Sequence, residues 1–348
     1  RSSAASDVYK RQAMSNYAIN GFGRIGRMVL RRLAEKGELD KVVAVNDLTD
    51  NKTLAHLFKY DSSQGIFDAD VSYDDESITI NGHRIKASAE RDPASLPWGE
   101  SGVDVVLEST GFFVDRPGAS KHIEAGAKKV LISAPAKDPD LTMCLGINDD
   151  LYNAEEHHIV SNASCTTNCL APMVKVLHDN WGIERGFMST IHSYTGDQNL
   201  LDAPHGDLRR ARSAAVSIVP SSTGAARAIG LVIPELQGKL NGGAFRVPTP
   251  TGSLTDFVAE LKDGVSVTAE EVNAAFEAAA SSGPMAAVLE YSEEPLVLAD
   301  VVGNQHSSIF DSGLTTILEG NLVKVCSWYD NEWGYSCRAA DAMALLAG

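Results

Sequence analysis

The sequence places a cysteine where a helix is expected to begin. Residues 161–169 read SNASCTTNC, a run rich in the Ser, Asn and Thr side chains that cap helices. Apolar residues then recur at helical spacing as far as Gly182, a suitable stop, and Pro172 predicts a kink within that helix. The helix dipole and free backbone N–H groups favour a thiolate at this end, so we expect the pKa of Cys165 to fall below the ~8.5 of a free thiol. These features are typical of a nucleophile.

Three other interpretations of Cys165 remain open at this stage. A cysteine is more often a small buried side chain than a nucleophile. Cys165 and Cys169 could bind a metal, although no further Cys or His follows at a closing spacing, or form a disulfide, which residues four apart on a helix would strain. The sequence has five cysteines, and an odd, widely spaced set favours free thiols in a reducing compartment. We therefore expect no metal site.

Composition limits the classes of protein to consider. The chain has 348 residues, enough for about two domains, and its 44% of hydrophobic residues include no run long enough to span a membrane. The formal net charge of -16 disfavours nucleic acid as a primary partner and still allows local phosphate pockets. We expect a soluble, cytoplasmic protein with no membrane partner. Residues 1–13 lack apolar periodicity and are interpreted as a non-native extension or tag, with a transit peptide as the alternative.

A glycine-rich motif near the beginning of the chain indicates a dinucleotide site. Residues 21–26 read GFGRIG, between a predicted strand that starts at Tyr17 and a predicted helix that stops near Gly37. A buried-type strand follows and ends at Asp47, at the distance where a carboxylate meets the adenosine ribose. The glycines permit a tight turn and a close approach of pyrophosphate to the helix N-terminus. Glycine triplets alone also occur in surface turns, but this context favours dinucleotide binding.

Strands and helices alternate through the first half of the chain, which predicts a parallel sheet. Ligands collect at the carboxyl ends of such strands, where Asp47, Thr110 and Ser133 are expected, although ordinary turn chemistry also explains Thr110 and Ser133.

After Cys165 the pattern changes, and His192 ends a loosely alternating strand. Residues 193–212 show no clear periodicity, which in a compact domain favours a binding or interface role over a solvated loop.

We therefore predict an α/β protein with a Rossmann-type, doubly wound parallel sheet and a second α+β catalytic domain whose sheet is mainly antiparallel. The predicted units are residues 14–164 for the dinucleotide-binding domain and 165–330 for the catalytic domain. Residues 331–348 are predicted as a closing helix.

Several motifs together resemble those of the phosphorylating, NAD-dependent glyceraldehyde-3-phosphate dehydrogenases. They are GFGRIG at 21–26, the extended cysteine motif at 161–172, HSYT at 192–195, LRRAR at 208–212, STGAA at 222–226, RVPTP at 246–250 and WYDNEWGY at 328–335. The resemblance covers nearly the whole chain from Asn16. It implies oxidation of a phosphorylated aldehyde with NAD and inorganic phosphate, a homotetramer in which residues 193–212 form the S-loop, and a closing helix that returns to the first domain.

The resemblance also implies roles for individual residues. Cys165 is the nucleophile, His192 its acid/base partner, and Asn331 orients the nicotinamide carboxamide. The other implied cofactor contacts are Gly21, Gly23, Arg24, Ile25, Gly26, Asp47, Arg91, Thr110, Gly111 and Ser133. The implied substrate and phosphate contacts fall into two sets, the first with Arg246, Thr195 and Asp197, the second with Thr223, Gly224, Ser164, Thr166 and Arg210.

Two departures from the common family pattern adjoin these residues, Gly196 and the pair Thr251-Gly252. The alternatives to the implied activity are an erythrose-4-phosphate dehydrogenase of the same family and a non-redox Cys/His hydrolase or acyl transferase.

Overall fold

The computed structural model describes residues 15–348. The extension expected at residues 1–13 lies outside the described residues. Among the helices of residues 15–348, none is long and apolar enough to cross a membrane.

The first sheet has nine strands, in the order β10-β11-β9-β8-β1-β2-β7-β6-β5, and β3 pairs separately with β4. In chain order these strands are β1 (Tyr17–Asn20), β2 (Val42–Asn46), β3 (Tyr60–Asp61), β4 (Gly65–Ile66), β5 (Val71–Asp74), β6 (Ser77–Ile80), β7 (His83–Ser88), β8 (Val105–Glu108), β9 (Lys129–Ile132), β10 (Leu141–Thr142) and β11 (Ile159–Ser161). The pairings from β10 to β7 are parallel, and β7, β6 and β5 are antiparallel. A parallel sheet is what alternating strands and helices produce.

Helices pack against this sheet, as in other α/β folds. The helices of the first half are α1 (Arg24–Glu35), α2 (Asn51–Lys59) and α3 (Arg116–Glu124). Helix α3 begins at Arg116, because the Asp115 carboxylate caps it by accepting from the Gly118 N–H at 2.8 Å.

The second sheet is mixed and mainly antiparallel, in the order β13-β14-β12-β15-β19-β17-β16, with β18 on β19. Its strands are β12 (Ile183–Ser193), β13 (Val219–Ser221), β14 (Leu240–Val247), β15 (Ser253–Leu261), β16 (Leu289–Ser292), β17 (Ser308–Asp311), β18 (Thr316–Leu318) and β19 (Leu322–Tyr329). Only the β12–β14 and β16–β17 pairings of this sheet are parallel among the described residues. The predicted fold class is confirmed.

The remaining helices are α4 (Cys165–Trp181), α5 (Ala225–Val232), α6 (Ala269–Ser281), α7 (Leu298–Val301) and α8 (Trp333–Ala347). Helix α4 continues through Pro172 and ends at Trp181, before Gly182, which is the stop that the sequence predicts. Its apolar face, including Leu170 and Val174, packs in one core with Phe257 of β15. Helix α8 shares a second core with α1, through side chains such as Met343 and Leu33. The end of the chain therefore lies against the first sheet.

Candidate active site

A sharp turn presents Cys165 as the first residue of helix α4. Ala163 adopts a positive φ of 54°, and its carbonyl accepts a hydrogen bond from the Tyr335 hydroxyl of α8 at 2.9 Å. Ser164 then caps the helix, since its Oγ accepts from the Thr167 N–H at 3.0 Å. The left-handed conformation of Ala163 is costly for a non-glycine residue, so the contact from Tyr335 stabilises the turn that aims the cysteine.

His192 lies near the end of β12 and faces Cys165. The cysteine Sγ and the histidine Nε2 are 3.5 Å apart, and the Nδ1 of the same ring is 2.7 Å from the carbonyl oxygen of Ser193. A carbonyl can only accept, so the Nδ1–H must donate and Nε2 is left as the acceptor in the neutral ring. The imidazole is thus oriented as a base toward the sulfur.

The protonation of this pair differs from the sequence-based expectation. Burial raises the pKa of the Cys165 thiol, and the positive charge of Arg246 acts in the opposite direction without reversing the shift. Burial and the same positive charge lower the pKa of His192 to about 4. The expectation of a lowered thiol pKa is therefore wrong, because burial outweighs the positive charge of Arg246 and the hydrogen bonds that favour the thiolate. The raised pKa of the thiol and the lowered pKa of the imidazole both favour the neutral forms.

We expect a short iodoacetamide pulse on the native protein to label Cys165 first. Its thiol is half-buried, whereas the other four cysteines are buried, and burial raises the pKa of each of those four to about 12. Labelling should accelerate between about pH 7 and about pH 9, because a larger fraction of the Cys165 thiol ionises as pH rises. Peptide mapping gives the rates. Faster labelling of another cysteine, with activity lost in step, would contradict the assignment.

A cavity of about 290 Å³ opens beside the Cys–His pair. Asn331 lines it, and the Asn331 Oδ1 accepts from the Gly252 N–H at 2.9 Å and from the Ser253 hydroxyl at 3.0 Å. These two bonds fix the amide so that its NH₂ group remains as the donor toward the cavity. The other lining residues are Arg24, Ile25, Ser133, Ala134, Pro135, Ser164, Cys165, His192, Thr195, Gly196, Glu332 and Tyr335.

A second cavity, of about 460 Å³, lies at the carboxyl ends of β1, β2 and β8. Its lining includes Gly21, Gly23, Asp47, Arg91 and Thr110. The Asp47 carboxylate accepts from the backbone N–H groups of Phe22 at 2.8 Å and Thr49 at 2.9 Å, which anchors it at the rim. Gly111 follows Thr110 in the adjoining loop and is not among the lining residues of this cavity.

Two glycines of the motif are required by close backbone contact. A Cβ on Gly21 would lie 2.6 Å from the Thr110 nitrogen, and one on Gly26 would lie 2.3 Å from the Gly21 carbonyl oxygen. A Cβ on Gly23, by contrast, would meet nothing within 4 Å among the described residues, so this side of the loop is open to a bound group. This arrangement fits a dinucleotide. The glycine loop and the N-terminus of α1 suit the pyrophosphate, and the Asp47 carboxylate suits the ribose.

The first phosphate set is assembled around Arg246. Its Nη1 donates to the Thr195 hydroxyl at 2.8 Å and to the Ser193 carbonyl at 3.2 Å, and it lies 3.9 Å from the Asp197 carboxylate. The Nε of Arg246 is buried and has no hydrogen-bond partner within residues 15–348. An arginine held on one edge with a free donor on the other is suited to an anion.

The structure brings together only some residues of the second phosphate set. The Ser164 hydroxyl contacts that of Thr167 at 2.8 Å, and Thr167 reaches the Ala225 carbonyl at 3.5 Å, so the beginnings of α4 and α5 are adjacent and Thr223 and Gly224 lie close by in the chain.

Two members of the second set are engaged elsewhere. The Thr166 hydroxyl is buried against the Tyr329 hydroxyl at 2.8 Å, so it is not free for a ligand in this arrangement. Arg210 pairs with Asp197 at 2.7 Å and donates to the Ser222 carbonyl at 3.2 Å, which puts it between the two sets.

Some residues of this site escape sequence reasoning. Tyr329 bonds both Thr166 and Thr190 at 2.8 Å, and its ring centroid lies 6.0 Å from that of His192. Glu332 pairs with Arg24 beside the smaller cavity. The WYDNEWGY motif contains both residues, but their contacts depend on how β19 and α8 meet distant elements. Within residues 15–348, no group of three or more His, Cys, Asp or Glu side chains is arranged to hold a metal ion.

Fold and site define a dinucleotide-binding protein whose second domain brings a Cys–His pair to the cofactor region. Two family models match the chain: "Glyceraldehyde 3-phosphate dehydrogenase, NAD binding domain" over residues 15–116 and "Glyceraldehyde 3-phosphate dehydrogenase, C-terminal domain" over residues 164–331.

Curated relatives agree with these matches. The chain is 60% identical over 329 residues to glyceraldehyde-3-phosphate dehydrogenase 1 of Bacillus subtilis (strain 168) and 59% identical over 329 residues to the enzyme of Geobacillus stearothermophilus. It is 56% identical over 328 residues to the enzyme of Streptomyces coelicolor, and each match covers 94% of this chain and 97% of the relative. The chain belongs to the glyceraldehyde-3-phosphate dehydrogenase family, which confirms the resemblance and makes it an NAD-dependent oxidoreductase.

Proposed function

We propose that this protein oxidises D-glyceraldehyde 3-phosphate to 1,3-bisphosphoglycerate with NAD and inorganic phosphate, through a thioester on Cys165. The observation that carries the proposal is the 3.5 Å separation of the Cys165 Sγ from a His192 Nε2 whose tautomer makes it an acceptor. We assign Gly21, Gly23, Asp47 and the other cofactor residues given above to NAD, with Asn331 at the nicotinamide carboxamide.

The chemistry begins with the sulfur. It attacks the aldehyde carbon as its proton passes to His192, and His192 returns that proton to the carbonyl oxygen. The resulting hemithioacetal is a far better hydride donor than the aldehyde. Bound NAD supplies the acceptor for that hydride. His192 takes the hydroxyl proton of the adduct as the hydride leaves, which gives a thioester. A phosphate oxygen then attacks the thioester carbon and the C–S bond breaks. The acyl phosphate leaves, and His192 returns its proton to the sulfur of Cys165.

Neutral resting side chains suit this sequence of proton transfers. A His192 with a pKa of about 4 is unprotonated at physiological pH and is therefore ready to accept. Arg246 provides the positive charge that stabilises the thiolate while it forms. We assign Arg246 and Thr195 to the phosphate of the substrate, with Asp197 positioning Arg246. We assign Ser164, Arg210, Thr223 and Gly224 to inorganic phosphate.

NADH formation from glyceraldehyde 3-phosphate, followed with and without inorganic phosphate, tests the proposed reaction. We expect steady turnover only when phosphate is present, because the thioester otherwise has no efficient acceptor. Equal turnover without phosphate would overturn the proposal in favour of a hydrolytic dehydrogenase. Faster turnover of erythrose 4-phosphate than of glyceraldehyde 3-phosphate would shift the substrate assignment within the family.

We expect a strong preference for NAD over NADP. A ribose 2′-phosphate would meet the Asp47 carboxylate as a like charge, and the segment that follows Asp47 through Asp50 contains no arginine to compensate. Asp47→Ala should narrow the preference about tenfold or more, chiefly by weakening NAD binding. Initial rates over a range of both cofactors give the two efficiencies. Comparable efficiencies in the unmutated protein would contradict this role of Asp47.

We further propose a cytoplasmic homotetramer in which residues 193–212 pack against a neighbouring subunit. The support is an exposed apolar surface on this loop, where Leu200, Leu201 and Leu208 are 73%, 74% and 81% exposed. We also propose that the chain is divided into a cofactor-binding domain at residues 14–164, a catalytic domain at 165–330 and a closing helix at 331–348. Light scattering on the purified protein measures the assembly, and a monomer at micromolar concentration would contradict it.

A further inference from the structure

A buried carboxylate lies directly beneath the larger cavity. Glu108, the last residue of β8, is 1% exposed and accepts four hydrogen bonds. Its Oε2 accepts from the Asn20 amide at 2.6 Å and from the His122 Nε2 at 2.8 Å. Its Oε1 accepts from the backbone N–H of Thr110 at 2.8 Å and from the hydroxyl of the same residue. A carboxylate placed this deep is tolerated only when such donors surround it.

The direction of each bond follows from its neighbours. The Trp98 indole N–H can only donate, and it lies 3.0 Å from the His122 Nδ1, so Nδ1 accepts and Nε2 carries the proton toward Glu108. The Thr110 hydroxyl accepts from the Phe112 N–H at 3.1 Å and is left to donate to Glu108. All four groups around the carboxylate are therefore donors.

The bonds continue across the sheet below the cavity. The Asn20 Oδ1 accepts from the Asn46 amide at 2.7 Å, and the Asn46 Oδ1 accepts from the Ser88 hydroxyl at 2.9 Å and the Glu90 N–H at 2.8 Å. Asn20, Asn46, Glu90 and Thr110 all line the cavity. One hydrogen-bonded chain thus ties the carboxyl ends of β8, β1, β2 and β7 together, from Trp98 to Glu90.

We infer that Glu108 is a positioning residue for the dinucleotide, which holds the Thr110 turn and the floor of the cavity in the binding geometry before NAD arrives. It acts through Thr110, Asn20 and Asn46, because its own carboxylate is buried behind them. Preorganisation of this kind raises affinity by removing the cost of ordering the site on binding. The inference rests on the proposed placement of NAD in this cavity.

Glu108→Gln tests it, because one edge of the amide must then present an N–H to groups that are themselves donors. We expect the Kd of NAD, measured by calorimetry, to rise about tenfold, and the Kd of ADP-ribose to rise by the same factor. The kcat at saturating NAD and the KM for the aldehyde should change less than about twofold, because the Cys–His pair is not part of this chain.

Trp98→Phe is a second variant in case Glu108→Gln does not fold. Trp98 is not among the lining residues of the cavity, so its loss changes NAD affinity only through His122 and Glu108. We expect about a threefold rise in the Kd of NAD. Lys129→Met is the matched control: Lys129 is 8% exposed, lies at the opposite end of the same sheet and donates to the His157 carbonyl at 2.8 Å. It should lower the Tm and leave the Kd unchanged.

An unchanged Kd of NAD in Glu108→Gln and Trp98→Phe, with a lowered Tm, would reduce the network to a structural role and overturn the inference. Asp47→Ala separates this outcome from failure of the proposed site. If Asp47→Ala weakens NAD and Glu108→Gln does not, the cavity is correct and the role of Glu108 is wrong. If neither variant weakens NAD, the placement of NAD in this cavity is wrong, and the inference fails with it.

Discussion

Cys165→Ser will lower kcat for NADH formation by about ten-thousand-fold or more, because a serine hydroxyl beside a neutral histidine is a far weaker nucleophile than a thiol. The Kd of NAD should change less than about threefold, since the sulfur is not needed to hold the cofactor. Stopped-flow measurement with saturating NAD and aldehyde resolves the residual rate.

Cys169→Ala is the control for that variant. Cys169 lies one turn further along α4, is buried, and its sulfur faces Ser308 at 3.8 Å and not His192. We expect its removal to lower stability by about 1 kcal/mol through loss of packing and to leave kcat within about threefold. A Cys165→Ser protein that retains a tenth of the activity would contradict the assignment of the nucleophile.

Arg246→Ala will lower kcat/KM for glyceraldehyde 3-phosphate by about 30- to 1,000-fold, equivalent to about 2–4 kcal/mol, the usual range for truncating a buried charged contact. The side chain is 15% exposed, its Nη1 is fixed by Thr195 and Ser193, and its Nε is the free donor. The protein as a whole is acidic, so phosphate affinity must come from such short charge-assisted bonds.

Unphosphorylated glyceraldehyde separates this role from a structural one. Its kcat/KM should fall much less in Arg246→Ala, because it has no phosphate for the guanidinium to bind. The residual loss on this substrate reflects the effect of Arg246 on the Cys165 thiol. Arg227 is an exposed arginine of α5, and Arg227→Ala should leave kcat/KM unchanged for both aldehydes. Equal losses on both aldehydes in Arg246→Ala would show that our placement of the substrate phosphate is wrong.

The elements that carry strong local signals could be predicted from the sequence. Ser164 and Gly182 bound helix α4 as expected, because capping and left-handed turns are decided by a few neighbouring residues. The hairpin at Asn81-Gly82 also follows from local chemistry, with positive φ angles of 48° and 81°. The glycine motif is informative because backbone atoms approach Gly21 and Gly26 too closely to leave room for a Cβ.

The protonation of the site could not be predicted in this way. The sequence shows that Cys165 begins a helix, but the burial that raises its pKa comes from the second sheet and from α8 packing around it. The same holds for His192, whose pKa depends on burial and on Arg246, a residue of a different strand. Electrostatic surroundings are assembled by tertiary structure, and local rules describe only the helix dipole.

For polar side chains near secondary-structure ends, the sequence shows an unusual position but not the residues that they contact. Glu108 closes an apolar run, which marks it as unusual, but its donors Asn20 and His122 are 88 and 14 residues away. Thr166 shows the opposite case: its place beside Cys165 suggests phosphate binding, and packing instead joins its hydroxyl to Tyr329, 163 residues distant. Sequence spacing cannot distinguish these outcomes, because strand order decides which side chains meet.

We propose that the reaction passes through an acyl group on Cys165, which phosphate then removes. Its most direct test is the mass of the intact protein after mixing with NAD and glyceraldehyde 3-phosphate in phosphate-free buffer, followed by peptide mapping. We predict one 3-phosphoglyceryl group per chain on Cys165, lost on addition of inorganic phosphate as the acyl phosphate appears. NADH formed without any adduct, or an adduct on another residue, would show that the reaction does not pass through an acyl group on Cys165.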